Sequence, residues 1–259
     1  MRVLGARGQT VSERNAMPDN VALAQRVEDI ARVAGRLAHD FDNVLTGIIG
    51  FTELAQAAVP SGAARQHLAE LQNVGQQGVA LTKRLHQLSR ASSISPRPMP
   101  ITSLLADMER RYRTALPTNV TLEYRPANGL PRVRIDSDAI RQALDELLAN
   151  AIEACYSAGG LITVEAECVA LSALEIGCLL GHPDAGEYLC VTIADTGPGV
   201  SAQARARVLV EACFTTKPRH RGLGLPIVYR ILHAHGAGWS LDSPSGGGTA
   251  ARVYLPVVP

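Results

Sequence analysis

Apolar residues fall at Val27, Ile30, Ala34, Leu37, Phe41, Val44, Ile48, Phe51 and Ala55, in alternating steps of three and four. That spacing is a heptad seam, and it predicts a helix from Asp19 to about Ala58 that needs another helix to cover it. Pro60-Ser61-Gly62 ends the run, because Pro cannot continue the hydrogen-bond ladder and Gly suits a turn. A second seam at Leu71, Val74, Gly78, Leu81, Leu85 and Leu88 predicts a second helix, fading at Ser92-Ser93. Two such helices make a hairpin, which covers only one side of each seam. A homodimer that joins two hairpins into a four-helix bundle is the economical arrangement.

Residues 94–100 (ISPRPMP) break this rhythm and mark the expected domain boundary. Beyond them, elements of both kinds alternate. Strands are predicted at Val120–Tyr124, Arg132–Ile135, Ile162–Val169, Tyr188–Ala194, Trp239–Asp242 and Ala250–Leu255. Helices are predicted at Ser103–Tyr112, Asp138–Ser157 and Leu225–His235. Strands clustered with helices beside them imply a two-layer α/β sandwich. The first 18 residues mix Gly, Arg, Ser and Asn without a period and read as a loose leader. The expected organisation is a leader over 1–18, a helical hairpin over 19–94 and an α/β domain over 95–259.

Composition narrows the classes. The 259 residues carry 25 Lys+Arg against 24 Asp+Glu, so the charge surplus that phosphate-backbone binding requires is missing and no nucleic-acid partner is expected. No stretch reaches the roughly 18 apolar residues of a membrane span, and the start has no signal-peptide core. The expectation is a cytoplasmic protein without membrane insertion. Five cysteines with no C-x-x-C pair suit small buried hydrophobes better than disulfides or zinc. His233 and His235, two apart on a predicted helix, point to different faces and make a poor metal pair.

Several candidates carry chemistry. With Leu37 as a core position, His39 falls on the outer face of the first helix, where an imidazole is free to act as a nucleophile; Asp40 adjoins it and Asn43 lies one turn on. A carboxylate beside the ring can hold a proton on the other nitrogen and so fix the tautomer. An incidental histidine on a solvated face would look the same. Glu146 and Asn150 share one face of the long helix, and their hard oxygens suit Mg²⁺. Asp195-Thr196-Gly197-Pro198-Gly199 ends an apolar strand, where a carboxylate can accept from an exocyclic amine and glycines admit a planar base. Gly222-Leu223-Gly224-Leu225 precedes a helix, a place for phosphates. Gly246-Gly247-Gly248-Thr249 forms another close-approach turn.

In this order, His-Asp on a dimeric helix, Asn, D-x-G-x-G, Phe-Thr-Thr-Lys, G-L-G-L and G-G-G-T, the chain from about Ala22 to Pro256 resembles the sensor histidine kinases. The stretch LAHDFDNVLTGIIGFTEL (37–54) and the loop HPDAGEY (182–188) are similar to the subgroup whose acceptor box reads H-D-F-N-N. The resemblance implies that His39 takes the γ-phosphoryl group of ATP and passes it to an aspartate on the receiver domain of a response regulator. Asp40 would assist, and Asn43 would hold the water of a phosphatase reaction. In the implied Bergerat (GHKL ATPase) fold, Asn150 would ligate Mg²⁺ with Glu146 nearby, and Asp195 would read adenine in a pocket shaped by Gly197 and Gly199. Residues 214–221 would form a lid, with Phe214, Thr216, Lys217 and Arg221 at the nucleotide. Gly222, Leu223 and Gly224 would cradle phosphates, and Thr249 would belong to the same nucleotide site.

The chain departs from that pattern in three places. Asp42 stands where the subgroup has Asn. Glu146 stands where many members have Asn. The lid is short, with His220 in place of a leading glycine, which predicts weaker ATP retention. No sensor domain is expected ahead of the bundle, so the input would come from an upstream sensor partner, from the leader or through the bundle itself. An alternative is a phosphorelay adaptor, a histidine phosphotransferase with a vestigial ATP site.

Overall fold

A computed structural model describes residues 20–59, 61–90, 94–181, 183–211, 215, 222–244 and 247–258. The leader, His182, Cys213 and His220 lie outside them. The chain divides into two compact units, residues 26–91, and residues 92–259 grouped with the chain up to residue 25.

The first unit is a helical hairpin of α1 (Asn20–Ala58) and α2 (Ala63–Arg90). Its tip is stapled by Arg65, whose guanidinium donates to the carbonyls of Gln56 (3.0 Å) and Val59 (2.8 Å). Those carbonyls sit at the end of α1, where a cation is favourable. Small residues let the two helices approach closely. A Cβ on Gly35 would stand 2.9 Å from Ser89 Cβ, one on Gly75 2.9 Å from Ile49 Cγ1, and one on Gly78 2.7 Å from Leu45 Cδ2.

This register covers only part of the expected seam, burying Val27 and Ala34. Leu45 and Ile49 of α1 meet the glycines of α2, and Ala38 and Thr52 are buried, while Leu37, Phe41, Val44, Ile48 and Phe51 are all exposed in the single chain. α1 therefore has two neighbouring apolar stripes. The slim one fits a partner helix whose own glycines face it, and the bulky one is left over. Leu71 and Val74 of α2 are exposed as well.

In the second unit, β1 (Arg97–Pro100) pairs antiparallel with β3 (Arg132–Ile135). The proline-rich break thus contains a strand the sequence reading omitted. A two-stranded ribbon tolerates prolines, because edge positions need not donate to a neighbour. The other strands are β2 (Val120–Pro126), β4 (Gly160–Leu171), β5 (Leu180–Gly181), β6 (Gly186–Asp195), β7 (Gly238–Asp242) and β8 (Thr249–Pro256). They form one sheet in the order β2-β4-β6-β8-β7-β5. β2 and β4 are parallel, and the remaining pairs are antiparallel.

Helices α3 (Ile101–Arg113), α4 (Ser137–Cys155) and α7 (Gly224–Ala234) pack side by side over that sheet, α3 over β2, α4 over β4 and β6, and α7 over β7 and β5. The core lies between the two layers. Alternate residues supply it: Ile162, Val164 and Ala166 of β4, Leu189, Val191 and Ile193 of β6, Val253 and Leu255 of β8. α4 adds Ile140, Leu144, Leu147 and Leu148 at helical spacing. This is the predicted two-layer α/β sandwich behind a helical segment.

Asp136 starts α4 by accepting from the amides of Asp138 (3.1 Å) and Ala139 (3.2 Å), and it also accepts from Ser95 N (2.9 Å). Hydrogen bonds from all three amides outweigh burial and hold its carboxyl below the usual range. The Asp136 amide donates to His235 Nε2 at 3.0 Å, and His235 Nδ1 lies 2.6 Å from the Ile231 carbonyl. With one ring nitrogen accepting and the other donating, His235 is a neutral core histidine. His233 stacks on Tyr229 instead. Two short helices, α5 (Ala173–Ile176) and α6 (Ala202–Val210), complete the described elements.

Candidate functional site

α4 carries the organising stripe. Glu146, Asn150 and Ala154 are four apart, so they share one face and rise about 6 Å from each to the next. One end of the stripe meets α7: a Cβ on Gly224 would stand 2.8 Å from Glu146 Oε2. The other end meets the turn after β6, where a Cβ on Gly197 would stand 2.9 Å from Ala154 Cβ and 3.0 Å from its carbonyl oxygen. Asn150, half-buried, lies midway between the two glycine turns.

At the β6 end, Asp195 Oδ1 accepts from Gly197 N at 2.8 Å, which fixes the carboxylate against its own turn. Gly199 has φ +78° and Gly248 φ +81°, both in the region that favours glycine. Gly248 N donates to Gly197 O (2.7 Å), and Asp195 is paired in register with Thr249. The D-x-G-x-G and G-G-G-T turns are therefore one structure. Ser243 ties them, its hydroxyl donating to Gly248 O (2.7 Å) and accepting from Val200 N (2.9 Å). Sequence reasoning missed Ser243 and Ala154. A serine opening a glycine-rich turn was the available signal for the first, and a backbone approach leaves none for the second.

Thr196 pins the neighbouring strand by accepting from Leu161 N at 3.0 Å. Cys155 is buried beside it, and burial pushes its thiol up, so it is a packing residue. Cys155, Cys168, Cys178 and Cys190 are all free thiols. Among the described residues no cluster of three or more His, Cys, Asp or Glu could hold a metal.

At the other end, Gly222 has φ +65° and α7 begins at Gly224 without a side-chain hydrogen bond capping it at Leu223. Gly224, its first residue, adjoins Glu146, and a helix N-terminus favours anions. Phe214, Thr216, Lys217 and Arg221 lie outside the described residues.

In the hairpin unit, His39 and Asp40 are both far out in solvent, with side-chain exposures of 75% and 80%. The outward direction inferred for His39 holds, although Leu37 is exposed and Ala38 is the residue buried beside it. His39 Nδ1 lies 3.6 Å from Asp40 Oδ1, too long for a hydrogen bond. Asn43 is exposed one turn further on. Asp42 instead turns toward α2, where His86 Nε2 lies 2.6 Å from its Oδ2. Thr82, whose hydroxyl donates to the Val79 carbonyl at 3.0 Å, and then His86 hold the Asp42 carboxyl below its usual range.

Residues 135–259 match the family model described as histidine kinase-, DNA gyrase B-, and HSP90-like ATPase. The chain is 28% identical over 254 residues to the sensor kinase CckA of Brucella abortus, covering 95% of this chain and 26% of that protein. It is 27% identical over 253 residues to the sensory histidine kinase/phosphatase NtrB of Rhodobacter capsulatus, covering 93% of this chain and 67% of NtrB. Full-length ShkA, crystallised in complex with AMPPNP, superimposes with a TM-score of 0.68 at 24% identity, covering 88% of this chain and 46% of that one. The chain thus spans about a quarter of CckA and under half of ShkA. No described helix is long and apolar enough to cross a membrane. The chain is therefore built on the ATPase fold shared by histidine kinases, DNA gyrase B and HSP90, with a helical hairpin ahead of it in sequence.

Proposed function

We propose that this chain is a cytoplasmic, ATP-dependent protein-histidine kinase that phosphorylates itself on His39 and passes the phosphoryl group to an aspartate of a response-regulator receiver domain. The observation that carries the reading is the α4 stripe, which sets Asn150 between the helix start at Gly224 and the glycine turns around Asp195. A nucleotide with adenine at Asp195 and phosphates at Gly222–Gly224 would run along it. Phe214, Thr216, Lys217 and Arg221 would act from the lid, and Thr249 beside Asp195. Residues 19–94 serve as the dimerisation and phosphotransfer domain, and residues 95–259 as the ATP-binding domain.

Mg²⁺ fits the donors present. Asn150 and Glu146 offer hard oxygens one turn apart, and Gly224 leaves the Glu146 carboxylate room that a side chain would fill. When bound, the ion offsets phosphate charge. The acceptor chemistry belongs to His39: its Nε2 lone pair attacks the γ-phosphorus, an N–P bond forms, the bond to the bridging oxygen breaks and ADP leaves. Asp40 steadies the Nδ1 proton once the pair tightens in the reacting complex. Asn43, exposed on the same face, would place the water of a phosphatase reaction, an activity that the name of NtrB includes.

The exposed stripe of Leu37, Phe41, Val44, Ile48 and Phe51 supports a homodimer, since a second hairpin would cover it. Input would then come from an upstream sensor protein or through the bundle itself. The adaptor alternative is less favoured, because a vestigial site has no need for the interlocked turns at Gly197, Gly199 and Gly248. Incubation with γ-labelled ATP and Mg²⁺ tests the proposal. Acid-labile, alkali-stable label is expected on the native chain and absent from His39→Gln and Asn150→Ala. An unlabelled native chain that accepts phosphate at His39 from a phosphorylated regulator would overturn it in favour of the adaptor.

A further inference from the structure

Asp42 presents a physical difficulty for its own helix. It follows His39 by three residues, on the same side of α1, where side chains are neighbours about 5–6 Å apart at Cβ. A free carboxylate there would repel any anionic group arriving at His39. The two charges would interact through a high but incomplete dielectric, with an effect on the order of tenfold in rate. The hairpin answers this from its second helix. His86, 44 residues away in sequence, sets Nε2 at 2.6 Å from Asp42 Oδ2, and both side chains are partly shielded, at 29% and 41% exposed. Among the described residues, Thr82 and His86 of α2 and His39 of α1 are the groups that act on the Asp42 carboxylate. Thr82 is buried, and its hydroxyl donates to the Val79 carbonyl at 3.0 Å.

We propose that His86 is a positioning residue for phosphoryl acceptance at His39: through its hydrogen bond it draws the Asp42 carboxylate across to α2 and keeps the approach to His39 clear. This rests on His39 being the acceptor. His86 makes no contact with the transferred group and acts only through Asp42. Its removal therefore harms the reaction only while Asp42 is present. A merely structural role predicts the opposite, damage that persists whatever stands at position 42.

The test compares initial rates of His39 labelling by ATP in the full chain for the native protein, His86→Gln, Asp42→Asn and the double variant, with His39→Gln as the site control. His86→Gln is expected to lose about tenfold at low salt, and the loss should shrink as salt screens the exposed carboxylate. Asp42→Asn should stay within about threefold of native, and the double variant should return to the Asp42→Asn rate. A His86→Gln variant as fast as native, or a double variant as slow as His86→Gln, overturns the proposal. A second readout does not depend on activity. The hydrogen-bonded Nε2 proton of His86 should give a downfield NMR resonance in the native chain that vanishes in Asp42→Asn, and its absence from the native chain also overturns the proposal. If the native chain takes no label while that resonance is present, the pair exists but the acceptor assignment fails, and the role of His86 falls with it.

Discussion

Replacing Gly248 by Ala strikes the point where the two glycine turns meet. A Cβ there would stand 2.3 Å from the carbonyl oxygen of Asp195, which is backbone and cannot swing aside. The residue also holds φ +81°, a conformation that costs an L side chain about 1–2 kcal/mol. Relieving the overlap means separating strands β6 and β8 at their shared end. That carries an overpacking cost of about 1–3 kcal/mol and endangers the 2.7 Å bond from Gly248 N to Gly197 O, worth about 1 kcal/mol. The stiffer unfolded chain of the variant offsets roughly 0.4–1 kcal/mol. The net loss is about 3 kcal/mol. Gly247 is the internal control: its φ is +94°, but among the described residues a Cβ would find only Gly197 O, at 3.4 Å, so Gly247→Ala should lose about 1 kcal/mol. Urea unfolding followed by circular dichroism measures both, and a fluorescent ATP analogue reports whether the turn still admits a nucleotide. Equal losses for the two variants, or a loss below about 1 kcal/mol for Gly248→Ala, would refute the close-approach argument.

Three further outcomes are expected. Burial holds the His235 imidazole below its ordinary value, so the folded state resists a proton that the unfolded state accepts. The resulting stability is full above about pH 6.5 and is lost as pH falls through the lowered value, so His235→Gln should flatten the drop in urea midpoint between pH 7 and pH 5. Asp136→Ala removes the cap of α4 and the bond from Ser95. It should cost about 1–2 kcal/mol and a few degrees of Tm in a thermal melt, with Asp136→Asn recovering most of it. Phe51, 76% exposed in the single chain, should lie inside the proposed dimer, so Phe51→Asp is expected to sediment as a monomer; an unchanged sedimentation coefficient would count against that face.

The long elements were legible because they repeat a period many times. α1 matches its expected span over the described residues, and α4 and the strands β4, β6 and β8 fall within a few residues of their predicted ends. α5 and β5, with four and two residues, are too short to show a period. β1 was hidden because Pro98 and Pro100 argue against a strand unless its edge position is known. The predicted seam on α1 splits in the single chain, with Val27 and Ala34 buried and Leu37, Phe41, Val44, Ile48 and Phe51 exposed, because the glycines of α2 pack on Leu45 and Ile49, which a pattern of large side chains does not single out. At the site, the glycine turns could be read as separate boxes, and their interlocking through Ser243 could not. The Asp42–His86 pair needed the hairpin register, which brings together residues far apart in sequence.

The strand order also bears on aggregation. Between β4 and β6 the chain leaves to place β5 beyond β7, on the far border of the sheet. That border strand offers only Leu180 and Gly181, and Gly181 at φ +97° bends out of the extended conformation. The opposite border, β2, ends in Pro126 and carries a Glu123–Arg125 ion pair. Short, bent, proline-ended or charged borders give a foreign strand little to zip onto. The sheet is thus guarded against edge-to-edge stacking, while the bulky stripe of α1 stays open, so the proposed dimer would form through helices and not through strands.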